Sequence, residues 1–183
     1  ARADAMAAGL LALGLEPGER IGMWAPNMAE WVLTQFATAK AGLVLVNVNP
    51  AYRLPELEFA LNAVGCAALI TAPRFKTSDY HAMLSELLPE LEDSEPGGLR
   101  AARVPSLGLV ISLDEAGAPG MLPFADIAKT AGCTHRERLA ELREFLQFDD
   151  AINIQFTSGT TGTPKAATLS HHNIVNNAYF TGR

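Results

Sequence analysis

The segment RIGMWAPNMAEWVLTQFATAKAGLVLVNV, residues 20–48, carries the clearest pattern of secondary structure in the sequence. Its first six residues are an apolar run after Arg20 and are bounded by Pro26, which is typical of a short buried strand. A helical pattern follows, with Asn27 as its expected cap and Gly42 at its end. Residues 43–48 then form a run of buried-strand character. The order strand, helix, strand predicts two parallel strands joined by a crossover helix.

The same rhythm continues through the next part of the chain. Residues 54–65 have Pro55 near their start and Gly65 at their end, which is typical of a helix. Residues 66–71, CAALIT, form another short buried strand. Five elements within about fifty residues are typical of βαβ units with short loops. The sequence therefore predicts an α/β fold, with a parallel sheet and crossover helices.

Outside this unit the patterns predict further elements. Helices are expected at residues 1–15, 78–93, 121–132, 135–148 and from Ser170 onward, strands at residues 107–113 and 151–157, and a surface loop at residues 94–106. Within residues 20–71, Trp24 and Tyr52 have apolar neighbours and are expected to pack in the core. Asn153 and Gln155 are expected to flank the sheet.

Composition limits the classes of function. Hydrophobic residues make up 49% and charged residues 19% of the 183 residues, which is a globular composition. The net charge of −6 comes without any basic block, so we expect no nucleic-acid partner. No run is long and apolar enough to predict a transmembrane segment. Cys66 and Cys133 match no metal spacing, and both are expected to be buried small hydrophobes, as in a reducing compartment.

The segment TSGTTGTPKAA, residues 157–167, has the composition of a phosphate-binding loop. Gly159 and Gly162 allow backbone N–H groups to turn toward an anion, five hydroxyl residues add donors, and Lys165 adds positive charge. The segment is not a Walker A loop, because Pro164 precedes the lysine and no serine or threonine follows it. The residues alone leave two interpretations open, a phosphate-binding loop or a polar turn.

TSGTTGTPK resembles the phosphate-binding signature of the adenylate-forming superfamily. This superfamily contains acyl- and aryl-CoA synthetases, adenylation domains of peptide synthetases and luciferases. Residues 16–70 follow the family's N-terminal pattern nearly throughout. GMWAPN, LVNVNPAY, FKTSDY and INIQFTSGTTGTPKAATLSHHNIVNN resemble mitochondrial medium-chain acyl-CoA synthetases within the family. The resemblance covers essentially the whole chain and implies a mitochondrial location.

The resemblance implies a reaction and a binding site. Members activate a carboxylate with ATP and Mg²⁺ to an acyl-adenylate, release pyrophosphate, and transfer the acyl group to coenzyme A. The nucleotide-binding residues would be Thr157, Ser158, Gly159, Thr160, Thr161, Gly162, Thr163, Pro164 and Lys165. The family's other site residues fall outside the chain, so no catalytic residue and no metal ligand is expected within it.

The resemblance also implies a domain organisation. Residues 1–183 are expected to be a partial N-terminal AMP-binding domain, without its remainder and without the small C-terminal domain. The chain alone is therefore expected to be inactive. Two alternatives to a fatty acid–CoA ligase stay open. One is an aryl-CoA ligase or a peptide-synthetase adenylation module, and the other is a truncated, non-catalytic nucleotide-binding fragment.

Two positions near the segment raise separate questions. Ala166 stands where the family usually has glycine. If that position needs a positive φ, alanine costs on the order of 1 kcal/mol; if the glycine serves compactness alone, alanine is tolerated. His171 corresponds to a histidine that the family often has, and it either lies near phosphate or packs at the cap of the helix after Ser170.

Overall fold

The computed structural model of the protein describes residues 2–157 and 164–182. The helices are α1 (Arg2–Ala12), α2 (Ala29–Ala41), α3 (Leu54–Val64), α4 (Tyr80–Leu87), α5 (Cys133–Phe145) and α6 (His171–Thr181). The strands are β1 (Arg20–Trp24), β2 (Val44–Asn47), β3 (Cys66–Thr71), β4 (Arg74–Phe75), β5 (Ser78–Asp79), β6 (Leu109–Ser112), β7 (Leu122–Pro123), β8 (Ala151–Thr157) and β9 (Lys165–Ser170). Two 3₁₀ helices cover Pro89–Leu91 and Phe124–Lys129.

One seven-stranded sheet organises the chain, in the order β7-β6-β3-β1-β2-β8-β9. Strand β1 pairs in parallel with β2 on one side and with β3 on the other. Strands β6, β7 and β8 continue the parallel pairing, whereas β9 runs antiparallel to β8. The predicted α/β fold with parallel strands and crossover helices is confirmed.

Helices cover both faces of the sheet. The chain moves from β1 through α2 to β2 on one side, and from β2 through α3 to β3 on the other. Because parallel crossovers are right-handed, α2 and α3 lie on opposite faces. Helices α1 and α5 pack against α2, and α4 packs against α3. The central strands are therefore buried on both sides, and β1 contributes Ile21, Met23 and Trp24 without any exposed surface.

The ends of α2 and α3 are set by local chemistry. Gly42 and Gly65 end the two helices with φ of 72° and 60°, a left-handed conformation that glycine adopts without strain. Pro55 lies in the first turn of α3, as predicted. The expected cap of α2 was wrong, because Met28 occupies the cap position without a side-chain hydrogen bond. Asn27 lies one residue too early and lines a cleft instead.

Two of the weaker helical patterns form less helix than predicted. The helix expected over residues 78–93 begins after Asp79, whose carboxylate accepts from the N–H of Ala82 at 3.0 Å. It ends at Leu87, since Pro89 cannot continue an α-helix, and a 3₁₀ turn follows. Residues 121–132 form only β7 and the 3₁₀ helix Phe124–Lys129.

The two cysteines have different environments. Cys66 begins β3 and is fully buried, and burial raises the pKa of its thiol to about 12. Cys133 is exposed at the first residue of α5, so the expectation that both are buried was wrong. Helix α5 buries only Leu139 and Leu142, which leaves its first turn in solvent.

Alkylation measures this difference directly. Iodoacetamide at pH 8 is expected to modify Cys133 and leave Cys66 unmodified in the folded protein, because only an accessible thiolate reacts. Mass spectrometry of the digested protein reports each site, and unfolding in urea should make both react. The Cys133→Ser variant is the control and should stay unmodified when folded. Rapid modification of Cys66 under native conditions would contradict the burial described.

Candidate functional site

The segment predicted to bind phosphate is carried by a β-hairpin at one edge of the sheet. Parallel strands bring their carboxyl ends to the same edge, and Thr157 is the last residue of β8 at that edge. Lys165 begins β9 and pairs with Thr157 in the antiparallel ladder. Thr157 and Lys165, which bound the predicted nucleotide-binding residues, therefore both lie at the carboxyl edge, where ligands bind in open α/β sheets.

Of the predicted nucleotide-binding residues 157–165, the structure describes Thr157, Pro164 and Lys165. The side chain of Lys165 is exposed, and the Thr157 hydroxyl lies 3.4 Å from the carbonyl oxygen of Lys165. Ser158, Gly159, Thr160, Thr161, Gly162 and Thr163 lie outside the described residues.

A strand follows the segment, and this corrects the sequence-based prediction. The expected context was strand, loop and then helix, but residues 165–170 form β9 and α6 starts only at His171. Ala167 and Leu169 are partly covered, whereas Ala166 and Thr168 are exposed, which is the alternation of a strand at the edge of a sheet. Helix α6 therefore does not begin directly after Lys165, because β9 lies between them.

Ala166 lies in strand β9, which decides whether this position needs a positive φ. Ala166 pairs with Phe156 in the regular ladder. Within residues 2–157 and 164–182, Lys76 is the only non-glycine residue with a positive φ. Ala166 thus has ordinary extended backbone, and alanine causes no backbone strain there.

The same strand separates His171 from the phosphate segment. Ser170 is five residues beyond Lys165, or about 17 Å along an extended strand. Ser170 caps α6 as predicted, because its Oγ accepts from the N–H of Asn173 at 3.3 Å. The N–H of His171 donates to the carbonyl oxygen of Asp150 at 3.3 Å. His171 lies at the opposite end of the hairpin from Lys165, which supports the cap role and not the phosphate role.

A cleft of about 420 Å³ opens beside the hairpin at the same edge. Its walls come from the loops after β1 and β2, from the first turn of α2 and from the end of β8, with Asn27, Trp31, Asn47, Asn49, Gln155 and Phe156 among the lining residues. The cleft contains amide and aromatic groups but no charged side chain among these residues, so it suits neutral polar atoms and flat apolar groups. Sequence reasoning missed its asparagines.

Two stacked aromatic rings support the loop after β2. Trp24 and Tyr80 stack with ring centroids 3.6 Å apart and planes 8° from parallel. The Tyr80 hydroxyl donates to the carbonyl oxygen of Pro50 at 2.5 Å, and Pro50 lines the cleft. Burial raises the pKa of Tyr80 to about 12, so the hydroxyl keeps its proton. The expected core position of Trp24 is confirmed, and Tyr52 packs partly buried against the core.

A second cleft, of about 360 Å³, lies between α1, α2, the turn after β6 and the 3₁₀ helix Phe124–Lys129. Strand β6 is four strand positions from β8, which is about 19 Å at the usual interstrand spacing. The cleft beside β8 is therefore the one that adjoins the phosphate segment.

A partly buried histidine, His81 of α4, and a fully buried serine, Ser112 of β6, join the two elements. His81 Nε2 lies 3.1 Å from Ser112 Oγ, and Ser112 Oγ accepts from the N–H of Asp114 at 3.0 Å. Ser112 has no exposed surface, so it is not available as a nucleophile. Burial lowers the pKa of His81 below its usual range, in opposition to the charges of Asp114 and Asp79. The neutral imidazole of His81 is therefore favoured, and in this form its contact with Ser112 stabilises the packing of α4 against β6.

The His81 shift predicts a pH dependence of stability. A histidine with a lowered pKa in the folded protein binds fewer protons there than when unfolded, so its stabilising contribution is complete above about pH 6.5 and is lost as the pH falls below that value. Urea unfolding midpoints between pH 8 and pH 5 measure this. His81→Gln should flatten the decline, whereas His172→Gln, at an exposed position, should leave it unchanged. Equal slopes for unaltered protein and His81→Gln would contradict the assignment.

In residues 2–157 and 164–182, no group of three or more His, Cys, Asp or Glu side chains is placed to hold a metal ion. Over the same residues, no helix has both the length and the hydropathy needed to cross a bilayer.

The sequence matches the family model described as AMP-binding enzyme over residues 1–182, so the chain belongs to the AMP-binding enzyme family. It is 56% identical over 176 residues to the protein of Danio rerio named medium-chain acyl-CoA ligase ACSF2, mitochondrial, covering 96% of this chain and 29% of that protein. It is 51% identical over 181 residues to the human protein of the same name, covering 98% and 29%.

A solved structure shows the same fold. The anthranilate CoA ligase AuaEII, crystallised with anthranoyl-AMP, superposes with a TM-score of 0.75 at 22% identity, over 99% of this chain and 30% of that one. The chain thus spans about 29% of the length of the curated relatives it matches. The resemblance to the adenylate-forming enzymes is confirmed at the level of family and fold.

Proposed function

We propose that the chain is the N-terminal part of the AMP-binding domain of a fatty acid–CoA ligase. The ligase activates a medium-chain fatty acid with ATP and transfers the acyl group to coenzyme A. The observation that carries this proposal is the 51–56% identity with proteins named medium-chain acyl-CoA ligases, over 96–98% of the chain. The small C-terminal domain and the rest of the AMP-binding domain lie outside this chain in the proposal.

The proposed reaction has two steps that balance. A carboxylate oxygen of the fatty acid bonds to the α-phosphorus of ATP, and the bond from that phosphorus to the oxygen bridging to the β-phosphate breaks, which releases pyrophosphate. The thiol of coenzyme A then loses its proton to solvent and its sulfur bonds to the acyl carbon, and the bond from that carbon to the phosphate oxygen breaks, which releases AMP. Negative charge therefore develops on the departing pyrophosphate in the first step.

The hairpin is the proposed site of pyrophosphate stabilisation. The proposed contacts are Thr157, Ser158, Gly159, Thr160, Thr161, Gly162, Thr163, Pro164 and Lys165. In support, Thr157 and Lys165 are paired at the carboxyl edge of the sheet, and the Lys165 side chain is exposed. A fixed ammonium group and hydroxyl donors stabilise charge as it forms, which lowers the barrier.

Mg²⁺ enters this proposal with ATP, as part of the substrate. The described residues offer no cluster of three carboxylate, histidine or cysteine side chains for it. The chain's own contribution to the charge balance is then Lys165 together with the hydroxyl donors of the segment. A mitochondrial location is part of the proposal, since the relatives carry that word in their names.

The exchange of pyrophosphate into ATP, measured in the presence of different carboxylic acid substrates, distinguishes the candidate functions. The assay uses the full-length protein and a panel of straight-chain fatty acids of graded length, benzoate derivatives and amino acids. The proposal expects exchange with fatty acids, with a maximum at medium chain length. Exchange with benzoates or amino acids alone would favour the aryl-CoA ligase or the peptide-synthetase module. ATP binding without exchange for any acid would favour a non-catalytic nucleotide-binding protein.

A further inference from the structure

A row of three hydrogen-bonded amide side chains connects α2, β8 and β2, and it ends at Asn47, which lines the cleft beside β8. Asn47 Nδ2 donates to Asn153 Oδ1 at 3.3 Å, and Asn153 Nδ2 donates to Gln35 Oε1 at 3.1 Å. Asn153 is 1% exposed, whereas Gln35 and Asn47 are partly exposed. The amide of Asn153 is thus removed from water and satisfied by two other side chains.

The row acts on the strand that carries the phosphate segment. Asn153 lies opposite Leu45 of β2, and Gln155 lies opposite Asn47. Because side chains alternate along a strand, Asn47, Asn153 and Gln155 share the face of the sheet that α2 covers. Asn153 is four residues before Thr157, about 13 Å along the strand. Hydrogen bonds at this point hold β8 to both α2 and β2.

Asn47 leaves one polar atom without a partner at the cleft end of the row. Its Oδ1 is buried and has no hydrogen-bond partner within residues 2–157 and 164–182. If all three amides are turned over, the same bonds form in the opposite direction and Nδ2 of Asn47 is left over instead. Either orientation gives Asn153 two directed bonds and leaves one polar atom of Asn47 without a partner in the described part of the chain.

An apolar residue would be easier to bury than Asn153. A buried amide is tolerated only where its hydrogen bonds are made, and each bond has a preferred length and angle. Apolar packing tolerates small shifts of a strand, whereas two directed bonds across two neighbouring elements do not. The row therefore restricts where β8 can lie relative to β2 and α2.

We propose that Gln35, Asn153 and Asn47 are positioning residues that hold the β8–β9 hairpin, and with it Lys165, in the arrangement required for adenylation. The inference rests on the proposed function, because adenylation gives the position of the hairpin its consequence. The three residues act through the hairpin and need no contact with the reacting atoms.

A pair of variants separates positioning from stability. Asn153→Leu removes both hydrogen bonds and leaves Gln35 Oε1 and Asn47 Nδ2 without their partners. The double variant Gln35→Leu/Asn153→Leu removes the unpaired Gln35 atom, and Asn47 is partly exposed, so this replacement of two bonded amides by apolar groups can be nearly neutral for stability. We expect Asn153→Leu to lower both the melting temperature and the rate of ATP–pyrophosphate exchange. The double variant should regain the melting temperature while its exchange rate stays about 10- to 100-fold below that of the unaltered protein.

Thr38→Val is the matched control. Thr38 is fully buried on α2, and among the described residues its hydroxyl donates only to carbonyl oxygens of its own helix, those of Thr34 and Gln35. The variant therefore removes a buried hydroxyl from the same helix without touching β8. Its exchange rate should equal that of the unaltered protein.

Amide hydrogen exchange tests the position of the hairpin without reference to activity. In the full-length Asn153→Leu variant, amides of β8 and β9 should exchange faster, whereas those of β3 and β6 should not change. Recovery of pyrophosphate exchange in the double variant, or unchanged protection of β8 and β9, would overturn the inference. If the unaltered protein itself catalyses no pyrophosphate exchange, the proposed function fails, and the hydrogen-exchange comparison still decides whether the row holds the hairpin.

Discussion

Replacing Lys165 with alanine is expected to lower the rate of ATP–pyrophosphate exchange by about 100- to 1,000-fold. Lys165 is the first residue of β9, and its backbone pairs with Thr157 at the carboxyl edge of the sheet. Its side chain, which carries the ammonium group, is exposed. There it is proposed to offset the charge of the departing pyrophosphate. The affinity for the fatty acid should change little, since the loss falls on the phosphate end of the reaction.

Two further variants define the origin of this effect. Lys165→Arg keeps the charge but changes its shape, so it should recover part of the rate. Lys129→Ala removes an exposed lysine whose ammonium pairs with Asp126 on the 3₁₀ helix, and it should leave the rate unchanged. A Lys165→Ala variant with unaltered exchange would remove Lys165 from the mechanism. An equal loss in Lys129→Ala would show a general effect of charge.

The largest expected loss of stability comes from replacing Trp24 with alanine. Trp24 has no exposed surface and stacks on Tyr80, whose hydroxyl holds the loop after β2 through Pro50. Truncation of a buried tryptophan costs about 3–5 kcal/mol of the free energy of unfolding. Denaturant unfolding of the purified protein measures that loss.

Trp24→Phe is the control for the stacked ring. The phenyl group keeps an aromatic ring against Tyr80, and it removes the indole N–H, which is buried and has no hydrogen-bond partner in the described part of the chain. The loss of the free energy of unfolding should then be at most about 1.5 kcal/mol. Equal losses for the two variants would show that ring stacking contributes nothing measurable at this position.

The central fold could be predicted because its signals are local. The strands β1, β2 and β3 are continuous apolar runs, and the helices between them end at Gly42 and Gly65, whose left-handed conformations glycine favours. Strand β9 was missed for a local reason as well. Its sequence KAATLS combines good helix formers with polar residues, and it gains its extended form only by pairing with β8.

The candidate site likewise has one part that the sequence predicted and one part that it did not. The phosphate segment is contiguous in sequence, so its glycines, hydroxyls and lysine could be recognised together. The cleft beside it combines Asn27, Asn47 and Gln155, which come from three separate elements. One signal was available, since asparagines stand at or just after the carboxyl ends of β1 and β2. The bond from Asn153 to Gln35 joins residues 118 positions apart, and no sequence pattern indicates it.

Product analysis tests the proposed reaction most directly. The full-length protein is incubated with ATP, Mg²⁺, coenzyme A and a straight-chain fatty acid of medium length, and the products are separated by chromatography. Acyl-CoA and AMP are expected in equal amounts, with pyrophosphate as the second product of ATP. Formation of ADP and phosphate, or consumption of ATP without any thioester, would contradict the proposed reaction.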